Sequence, residues 1–389
     1  MKSDIDIKSI IAAAVPALIS VVLLYITVGM INKSASAIPD CFGYITDGYG
    51  KVTFSEISKI QKADSYPDNI KVNAQSFSSG YVQSVGGMFA PVGILATDEN
   101  YADFHCVNMP KGSFGGGAAI SEDLANKLFK SIDIIGGKFY LSGAEITVAG
   151  VYKPENSFLN EICSDGKDYV IVPYSLNLAS NDEVDYLYIK DKTGGSLGAS
   201  DEMELNRLLD GKLDNYKKVN LSENKKIIAQ FKHILFFIMG LMVFVVLLGK
   251  LLKAVPELIN KEAQKNIWFY AKFTLTTAVL ATLLIAAPFD LYIPVNFFPA
   301  DKNILHIRHY ADLFAKFVSS HNTGAYYFYD SLYFWSILSI TLLTAVNVLV
   351  LANVISKILA LDTIWKAARP KIKTRQNKLT KSVRADDDE

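Results

Sequence analysis

The sequence predicts a membrane protein in which four transmembrane α-helices carry a large α+β extracytoplasmic domain between the first and second helices. Four long apolar runs predict the helices, at residues 10–31, 234–252, 273–293 and 332–361. Each run has about the 20 apolar residues that a helix needs to cross a hydrocarbon core of roughly 30 Å. The long stretch between the first two runs has the mixed composition of a water-exposed domain.

These runs divide the chain into four parts. Residues 1–31 are expected to form a short cytoplasmic N-terminus and the first transmembrane helix, and residues 32–229 the extracytoplasmic domain. Residues 230–362 are expected to form a membrane domain with the other three helices. Residues 363–389 are a basic tail, which we expect to lie against the lipid headgroups on the cytoplasmic side.

Basic residues predict the orientation, because short segments rich in Lys and Arg stay cytoplasmic. Such residues precede the first run, lie between the second and third, and follow the fourth: Lys2, Lys8, Lys250, Lys253, Lys261, Lys265, Lys272, Lys357, Lys366, Arg369, Lys371, Lys373, Arg375, Lys378, Lys381 and Arg384. With four spans these three groups share one side. The protein is therefore expected to be a multi-pass protein of the bacterial plasma membrane with both termini cytoplasmic and an acidic domain outside.

A second interpretation of the first run stays open. Ala35-Ser36-Ala37 resembles the small-residue site at which a secretory signal peptide is cleaved. The apolar run is longer than the ~7–15 residues of a typical signal core, which favours an uncleaved anchor. Cleavage would leave three spans and the same orientation for the rest of the chain.

Within residues 32–229, short strands and amphipathic helices occur in mixed order, which indicates an α+β fold. One helix is expected to begin at Ser55 with that residue as its N-cap, and another to follow Ser121 with that residue as its N-cap. The second helix is expected to pack on a hairpin whose turn is Ser142-Gly143. The strands of that hairpin are 138–141 and 145–152, and further elements are expected at 92–95, 169–172, 186–189 and 201–215.

No catalytic residue or cofactor site is predicted. The glycine-rich segment at residues 112–117 lacks the Gly-x-x-x-x-Gly-Lys-Ser/Thr pattern of a phosphate-binding loop, and the pattern occurs nowhere in the chain. Nucleotide binding by this polypeptide is therefore not expected. The basic tail is short and adjoins a membrane span, so nucleic acid is not an expected partner.

Histidine and cysteine patterns are equally uninformative. His306, His309 and Asp312 fall on one face of an expected helix, but two His one turn apart are more often interfacial side chains, so no metal site is predicted. The cysteines show no Cys-x-x-Cys spacing. One disulfide with a free thiol and three reduced thiols are both compatible with the three cysteines, Cys41, Cys106 and Cys163.

One segment of the external domain has a specific pattern. It reads Gly112-Ser-Phe-Gly-Gly-Gly-Ala-Ala-Ile-Ser-Glu-Asp-Leu-Ala-Asn-Lys-Leu-Phe129, then Ile135-Gly-Gly-Lys-Phe-Tyr-Leu-Ser-Gly143, then Ile146-Thr-Val-Ala-Gly-Val-Tyr152. This resembles the periplasmic core domain of MacB/FtsX-like ABC transporter permeases, with an Ile-Ser-x-x-Leu-Ala-x-x-Leu-Phe helix, an Ile-Gly turn and a closing Val-x-Gly-Val strand. One span, an external domain and then three spans is also the order of that family.

The resemblance implies a transport subunit, with any ATPase activity in a separate cytoplasmic ABC ATPase. It further implies a homodimer or paired permease whose external domain is moved by ATP hydrolysis (mechanotransmission). Such movement would serve export or extraction of an amphipathic or peptidic substrate, or activation of an extracytoplasmic adaptor or effector.

In that family the loop between the second and third spans contacts the ATPase. By position, the coupling residues expected in this chain are Glu257, Asn260, Lys261 and Glu262, on a helix with Pro256 in its first turn. The Arg-rich Arg-x-x-Glu-Ile-Gly-Ile-Arg signature of the loop is missing. Its absence keeps a second hypothesis open, a membrane-anchored binding or sensor protein without ATP coupling.

Overall fold

The computed structural model describes residues 7–46, 48, 50–63, 66–105, 107–153, 168–176, 182–192, 197–259 and 331–358, with short helical stretches at 271, 274–279, 281, 308, 311–313, 315 and 329. The chain forms two compact units. The first, called the helical unit, comprises Met1–Ile31, Gln230–Ile293 and Leu338–Glu389. The second, called the core domain, comprises Asn32–Ala229 and Pro294–Ile337.

The helices and strands are numbered in chain order. The helices are α1 (Ile7–Ala37), α2 (Phe54–Ile60), α3 (Tyr101–Phe104), α4 (Glu122–Phe129), α5 (Ala199–Leu208), α6 (Leu221–Ile259) and α7 (Ser331–Ile358). The strands are β1 (Phe42–Thr46), β2 (Ile70–Ser84), β3 (Phe89–Thr97), β4 (Asn108–Gly112), β5 (Ala118–Ser121), β6 (Lys138–Leu141), β7 (Ala144–Lys153), β8 (Tyr169–Pro173), β9 (Tyr186–Asp191) and β10 (Tyr216–Asn220).

The strands form one ten-stranded sheet in the order β10-β1-β9-β2-β3-β8-β5-β7-β4, and β6 pairs with β2 and β7 off this path. The pairs β3/β8 and β5/β7 are parallel, and the other pairs are antiparallel. Helices α2, α4 and α5 contribute side chains to the main hydrophobic core together with the strands. This mixed sheet with helices packed on it confirms the predicted α+β class of the domain.

The apolar side chains of the strands form two hydrophobic clusters, to which alternate residues of a strand contribute. In β3, Ile94 belongs to the main core, whereas the next residue, Leu95, belongs to a smaller cluster with Tyr101 of α3. Because successive side chains of a strand point to opposite faces, the smaller cluster covers the other face of the sheet. The sheet is therefore covered on one face by the main core and on part of the other by α3.

The predicted helix after Ser121 is confirmed. The Ser121 hydroxyl accepts a hydrogen bond from the backbone N–H of Leu124 at 3.1 Å, which makes it the N-cap of α4. Leu124 and Leu128 are buried in the same core as Phe139 of the β6–β7 hairpin, so the helix packs on the hairpin as expected. The predicted turn is also confirmed, with positive φ angles of 50° at Ser142 and 90° at Gly143.

The expected N-cap of α2 was wrong. The cap is Thr53, whose hydroxyl accepts from the N–H of Glu56 while the Glu56 carboxylate accepts from the N–H of Thr53. This reciprocal capping box needs a Glu or Gln three residues after the cap. Ser55 has no such partner in the sequence, and it lies in the first turn of the helix.

The helix predicted at residues 201–215 is also shorter than expected. α5 ends at Leu208, and Lys212–Asn215 form a separate 3-10 turn. Asp210 and Gly211 between them have φ angles of 51° and 76°, which an α-helix cannot contain. The chain therefore changes direction there.

Among the residues that the structure describes, three helices are long and apolar enough to cross a membrane, at Ala14–Ala37, Leu221–Lys250 and Ser331–Ile358. The span predicted at residues 273–293 falls largely outside the described residues, so the count of four spans stays a prediction. The coupling helix expected near residue 254 does not begin there, because α6 continues from Leu221 to Ile259 and contains Pro256. A proline removes one helical hydrogen bond, and spanning helices tolerate this, as α1 does at Pro16.

Candidate functional site at the base of the core domain

The residues predicted to contact an ATPase are described only in part. The backbone of Glu257 is helical and belongs to the last turn of α6. Asn260, Lys261 and Glu262 lie outside the described residues, so their role stays a prediction. The structure shows that α6 directly precedes them in the chain. With 39 residues, α6 is about 58 Å long at 1.5 Å per residue.

The helices α1 and α6 join the sheet at one place. α1 ends at Ala37, shortly before β1, and β10 ends at Asn220 and is followed at once by α6. β1 and β10 are antiparallel neighbours with Phe42 opposite Asn220. The chain therefore enters and leaves the sheet along the same edge.

Hydrogen bonds fix the start of α6 to the residues that follow α1. The N–H groups of Leu221 and Ser222 both donate to the carbonyl oxygen of Cys41, at 3.1 and 3.3 Å. The Asn220 side-chain oxygen accepts from the N–H of Glu223 at 3.0 Å. First-turn amides have no partner within their own helix. The Cys41 carbonyl supplies one, and thereby fastens one helix to the chain leaving the other.

The Cys41 thiol takes no part in this chemistry. It is a free cysteine and is buried. Burial raises the pKa of the Cys41 thiol far above its usual value, so the thiol stays protonated and unreactive at neutral pH. Cys106 and Cys163 lie outside the described residues, so both hypotheses about the cysteines stay open.

A charged cluster ties α5 to the same sheet edge. The Lys218 ammonium forms an ion pair with the Glu202 carboxylate and lies 4.4 Å from the centre of the Phe42 ring. The Tyr44 hydroxyl donates to Glu202 at 2.6 Å. Burial alone would raise the pKa of Glu202, but hydrogen bonds from Lys218 and Tyr44 outweigh it and hold the pKa below its usual value. The carboxylate is therefore ionised and links three elements.

On the other face of the sheet, buried polar side chains form a continuous series of hydrogen bonds, and its last member is Tyr329, two residues before α7. Tyr329 is hydrogen-bonded to Nδ1 of His105, and the two rings are stacked with centroids 5.7 Å apart. Nε2 of His105 is bonded to the amide nitrogen of Gln75, which also donates to Asn73 Oδ1 at 2.7 Å. Asn73 Nδ2 donates to the Asp98 carboxylate at 2.6 Å.

The direction of these bonds fixes the state of the histidine. An ionised carboxylate can only accept, so the Asn73 amide must donate to Asp98 and its oxygen must accept from Gln75. The remaining N–H of Gln75 then donates to Nε2 of His105, which must be unprotonated. The proton of the neutral imidazole lies on Nδ1 and is donated to Tyr329. With a second proton on Nε2, two N–H groups would face each other, and the hydrogen bond between Gln75 and His105 would be lost.

This geometry predicts a loss of stability in mild acid. Burial, and to a smaller extent the Lys190 charge, lowers the pKa of His105 from 6.5 to about 3. Because the folded pKa is below the unfolded value, the stabilisation is complete above about pH 6.5 and is lost as the pH falls towards 3. We expect the free energy of unfolding of the core domain to fall by about 1.4 kcal/mol per pH unit below about pH 6.

The measurement is denaturant unfolding of the full chain in nanodiscs at several pH values, with His105→Gln as the matched control. Glutamine hydrogen-bonds without titrating, so its pH dependence should be weaker. Comparing the two proteins removes the contributions of other groups, including Asp98, whose pKa burial raises and which therefore acts with the opposite sign. Identical pH dependence in both proteins would contradict this role of His105.

Within the helical unit, one polar contact joins α1 and α7. The Ser20 hydroxyl donates to Asn347 Oδ1 at 2.6 Å, and both side chains are buried. The Thr27 hydroxyl donates to the Leu23 carbonyl of its own helix at 2.7 Å. The Ser20–Asn347 bond is of the interhelical kind that holds apolar helices together in lipid, and it gives these two residues a packing role. The Thr27 bond satisfies its hydroxyl group within α1.

Comparison with known proteins identifies the domain. Residues 9–202 match the MacB-like periplasmic core domain. Similar solved structures include the extracellular domain of the noncanonic ABC-type transporter YknZ from Gram-positive bacteria, at 16% identity over 46% of this chain and 98% of that chain, with a TM-score of 0.34. Another is the periplasmic region of MacB from Actinobacillus actinomycetemcomitans, at 15% identity over 48% and 91%, with a TM-score of 0.37.

No curated protein matches the chain significantly. The domain match covers nearly all of α1, strands β1 to β9 and the start of α5 in one continuous stretch. The three apolar helices agree with an integral membrane subunit. The chain belongs to the MacB/FtsX-like family of ABC transporter permeases.

Proposed function

We propose that this chain couples ATP hydrolysis in a separate cytoplasmic subunit to movement of its extracytoplasmic domain. Its family makes it a subunit of an ABC-type transporter. The observation that supports coupling is the continuity of α6, which runs from the sheet edge at Leu221 to Glu257 without a break in its helical backbone. A displacement at the end near Glu257 would reach the sheet through a single element.

The attachment of α6 to the sheet edge is suited to transmitting such a movement. α6 is fastened through the Cys41 carbonyl to the chain that leaves α1. A movement of α6 relative to α1 would therefore act directly on the paired strands β1 and β10. No mobile linker among the described residues separates either helix from the sheet.

The remaining parts of the proposal follow the charge distribution and the family. Both termini are cytoplasmic, four helices cross the plasma membrane, and the core domain is outside. The working unit is a homodimer or a paired permease with two ATPase subunits. The substrate is an amphipathic or peptidic molecule, or the moving domain acts on an extracytoplasmic adaptor or effector.

Purification of the tagged full-length protein from native membranes in mild detergent, followed by mass spectrometry, tests this proposal. Recovery of a stoichiometric ATPase with Walker motifs is the expected result. Recovery of external partners alone would favour the second hypothesis, a membrane-anchored binding or sensor protein without ATP coupling. The missing Arg-rich loop signature is the observation behind that alternative.

Charge reversal at Glu257 and Glu262 tests the coupling residues. We expect Glu257→Lys with Glu262→Lys to reduce stimulated ATP hydrolysis in the purified complex to the basal rate of the ATPase alone, because both contacts would become repulsive. A matched control reverses two acidic residues of the tail, Asp387→Lys with Asp388→Lys, and should retain stimulation. Full stimulation in the first variant would refute the assignment of these two residues. It would leave the proposed function untouched, because that is tested by co-purification of the ATPase.

A further inference from the structure

An open cavity lies where the β2–β3 hairpin meets the turn of the β6–β7 hairpin. Its volume is about 490 Å³, within the ~300–1,000 Å³ of typical small-ligand sites. The residues that line it are Tyr81, Gln83, Phe89, Tyr140, Ser142 and Gly143. The cavity contains neither the residues that attach α6 to the sheet edge nor the predicted coupling residues.

Three aromatic rings are exposed around this cavity. The rings of Tyr81 and Phe89 are stacked, with centroids 5.0 Å apart and planes at 20°. The exposed fractions are 55% for Tyr81, 63% for Phe89 and 38% for Tyr140. Isolated exposed apolar residues are ordinary, whereas rings grouped beside a cavity offer a surface on which a flat apolar face can pack.

The backbone holds these rings in place. Gln83 is opposite Phe89 in β3 and opposite Tyr140 in β6, so the three side chains lie in one row across three strands. The N–H of Ser142 donates to the carbonyl of Tyr81 at 2.9 Å and fixes the hairpin turn to β2. A surface that is already ordered loses little conformational entropy when a ligand binds.

The chemistry of the lining selects the class of ligand. None of the described residues lining the cavity is charged. The nearest acidic side chain along the row, Glu145 opposite Tyr140, is neutralised by Lys138 at 2.6 Å. A charged ligand would therefore find no counter-charge. The Gln83 amide and the Ser142 hydroxyl are exposed, and a purely apolar ligand would cover them without offering a hydrogen bond, which is unfavourable.

A sugar ring combines the two properties that the cavity requires. Its axial C–H groups form a flat apolar face that packs on an aromatic ring, and its edge carries neutral hydroxyl groups that both donate and accept. We propose that this cavity binds a neutral saccharide chain, with sugar rings against Tyr81 and Phe89 and hydroxyl groups bonded to Gln83 and Ser142. This binding is independent of ATP coupling.

Calorimetric titration of the full chain in lipid nanodiscs tests the proposal, with the tetrasaccharide of N-acetylglucosamine as the probe. Nanodiscs are needed because glycoside detergents would compete. We expect measurable binding that Tyr81→Ala with Phe89→Ala weakens about tenfold, because the double variant removes both rings on which the sugar packs. Gln83→Leu should weaken binding as well. Met203→Ala, at an exposed site on α5, should not.

The substituted side chains are exposed, and unchanged thermal unfolding will show that the variants fold. Tyr81→Phe, which keeps the ring, should retain binding. Absence of binding by the wild-type protein would overturn the proposal, as would equal affinities of the wild type and the double variant. Tighter binding of an anionic oligosaccharide or a proline-rich peptide than of the neutral probe would also overturn it.

Discussion

If α6 transmits movement as proposed, Ala229→Pro is expected to disconnect movement of the core domain from ATP hydrolysis. Ala229 lies inside the helix, between its anchor on Cys41 and Glu257. Although α6 accommodates its native Pro256, a proline introduced at 229 removes a backbone hydrogen bond and clashes with the carbonyl of Lys225, which kinks or breaks a helix at about 3 kcal/mol or more. We expect ATP hydrolysis to continue while ATP-dependent changes in amide hydrogen exchange of β1 and β10 disappear.

Ala229→Ser is the matched control for this variant. Serine keeps the backbone N–H and lowers helix propensity by less than about 0.7 kcal/mol, so coupling should persist. Both variants are compared in the purified complex with its ATPase. ATP-dependent exchange in the proline variant equal to that of the wild type would show that α6 does not transmit the movement.

Removing the Phe139 ring should cost the core domain a large part of its free energy of unfolding. Phe139 is fully buried in β6 and belongs to the main core. Truncation of such a ring typically costs about 3–5 kcal/mol, against a total stability of about 5–15 kcal/mol for a domain. We expect Phe139→Ala to lower the urea midpoint sharply when unfolding of the full chain is followed by pulse proteolysis.

The adjacent residue provides the control, because neighbouring side chains of a strand point to opposite faces. Tyr140 is partly exposed beside the cavity, so Tyr140→Ala should change the free energy of unfolding by less than about 1 kcal/mol. Equal losses in the two variants would contradict the assignment of the two faces of β6.

Local signals explain what the sequence could predict. α4 has a serine cap and apolar residues on one face, and the β6–β7 hairpin has alternating apolar residues around Ser142-Gly143. Each of these signals lies within about ten residues of the structure that it specifies. The class of the domain followed from the same short-range patterns.

The long strand β2 had no such signal. Its first half buries Asn73 and Gln75 beside hydrophobic residues, and its second half exposes Phe77 and Tyr81. Both features oppose the alternation of buried apolar and exposed polar residues by which a half-buried strand is recognised. Asn73 and Gln75 can be buried only because distant residues supply their hydrogen bonds, and a short sequence window does not contain those partners.

The contacts of the candidate site could not be predicted from the sequence either. His105 and Tyr329 are separated by 224 positions in the chain. The contact of Cys41 with the start of α6 depends on the pairing of β1 with β10, which are the first and last strands of the sheet in sequence. The coupling residues were placed by family resemblance alone. The continuity of α6 through Pro256 contradicts the local expectation that a proline begins a new helix.

The shared sheet edge at Phe42 and Asn220 has a consequence for how such permeases diversify. Paired residues of antiparallel strands have Cα atoms about 4.5–5.5 Å apart, so the two ends of the segment that forms the sheet are nearly adjacent. Removing everything between them would leave two helices that a short turn could join. The segment between these two residues can therefore be exchanged without redirecting α1 or α6, and such an exchange would also remove His105, the partner of Tyr329 in the second segment of the core domain.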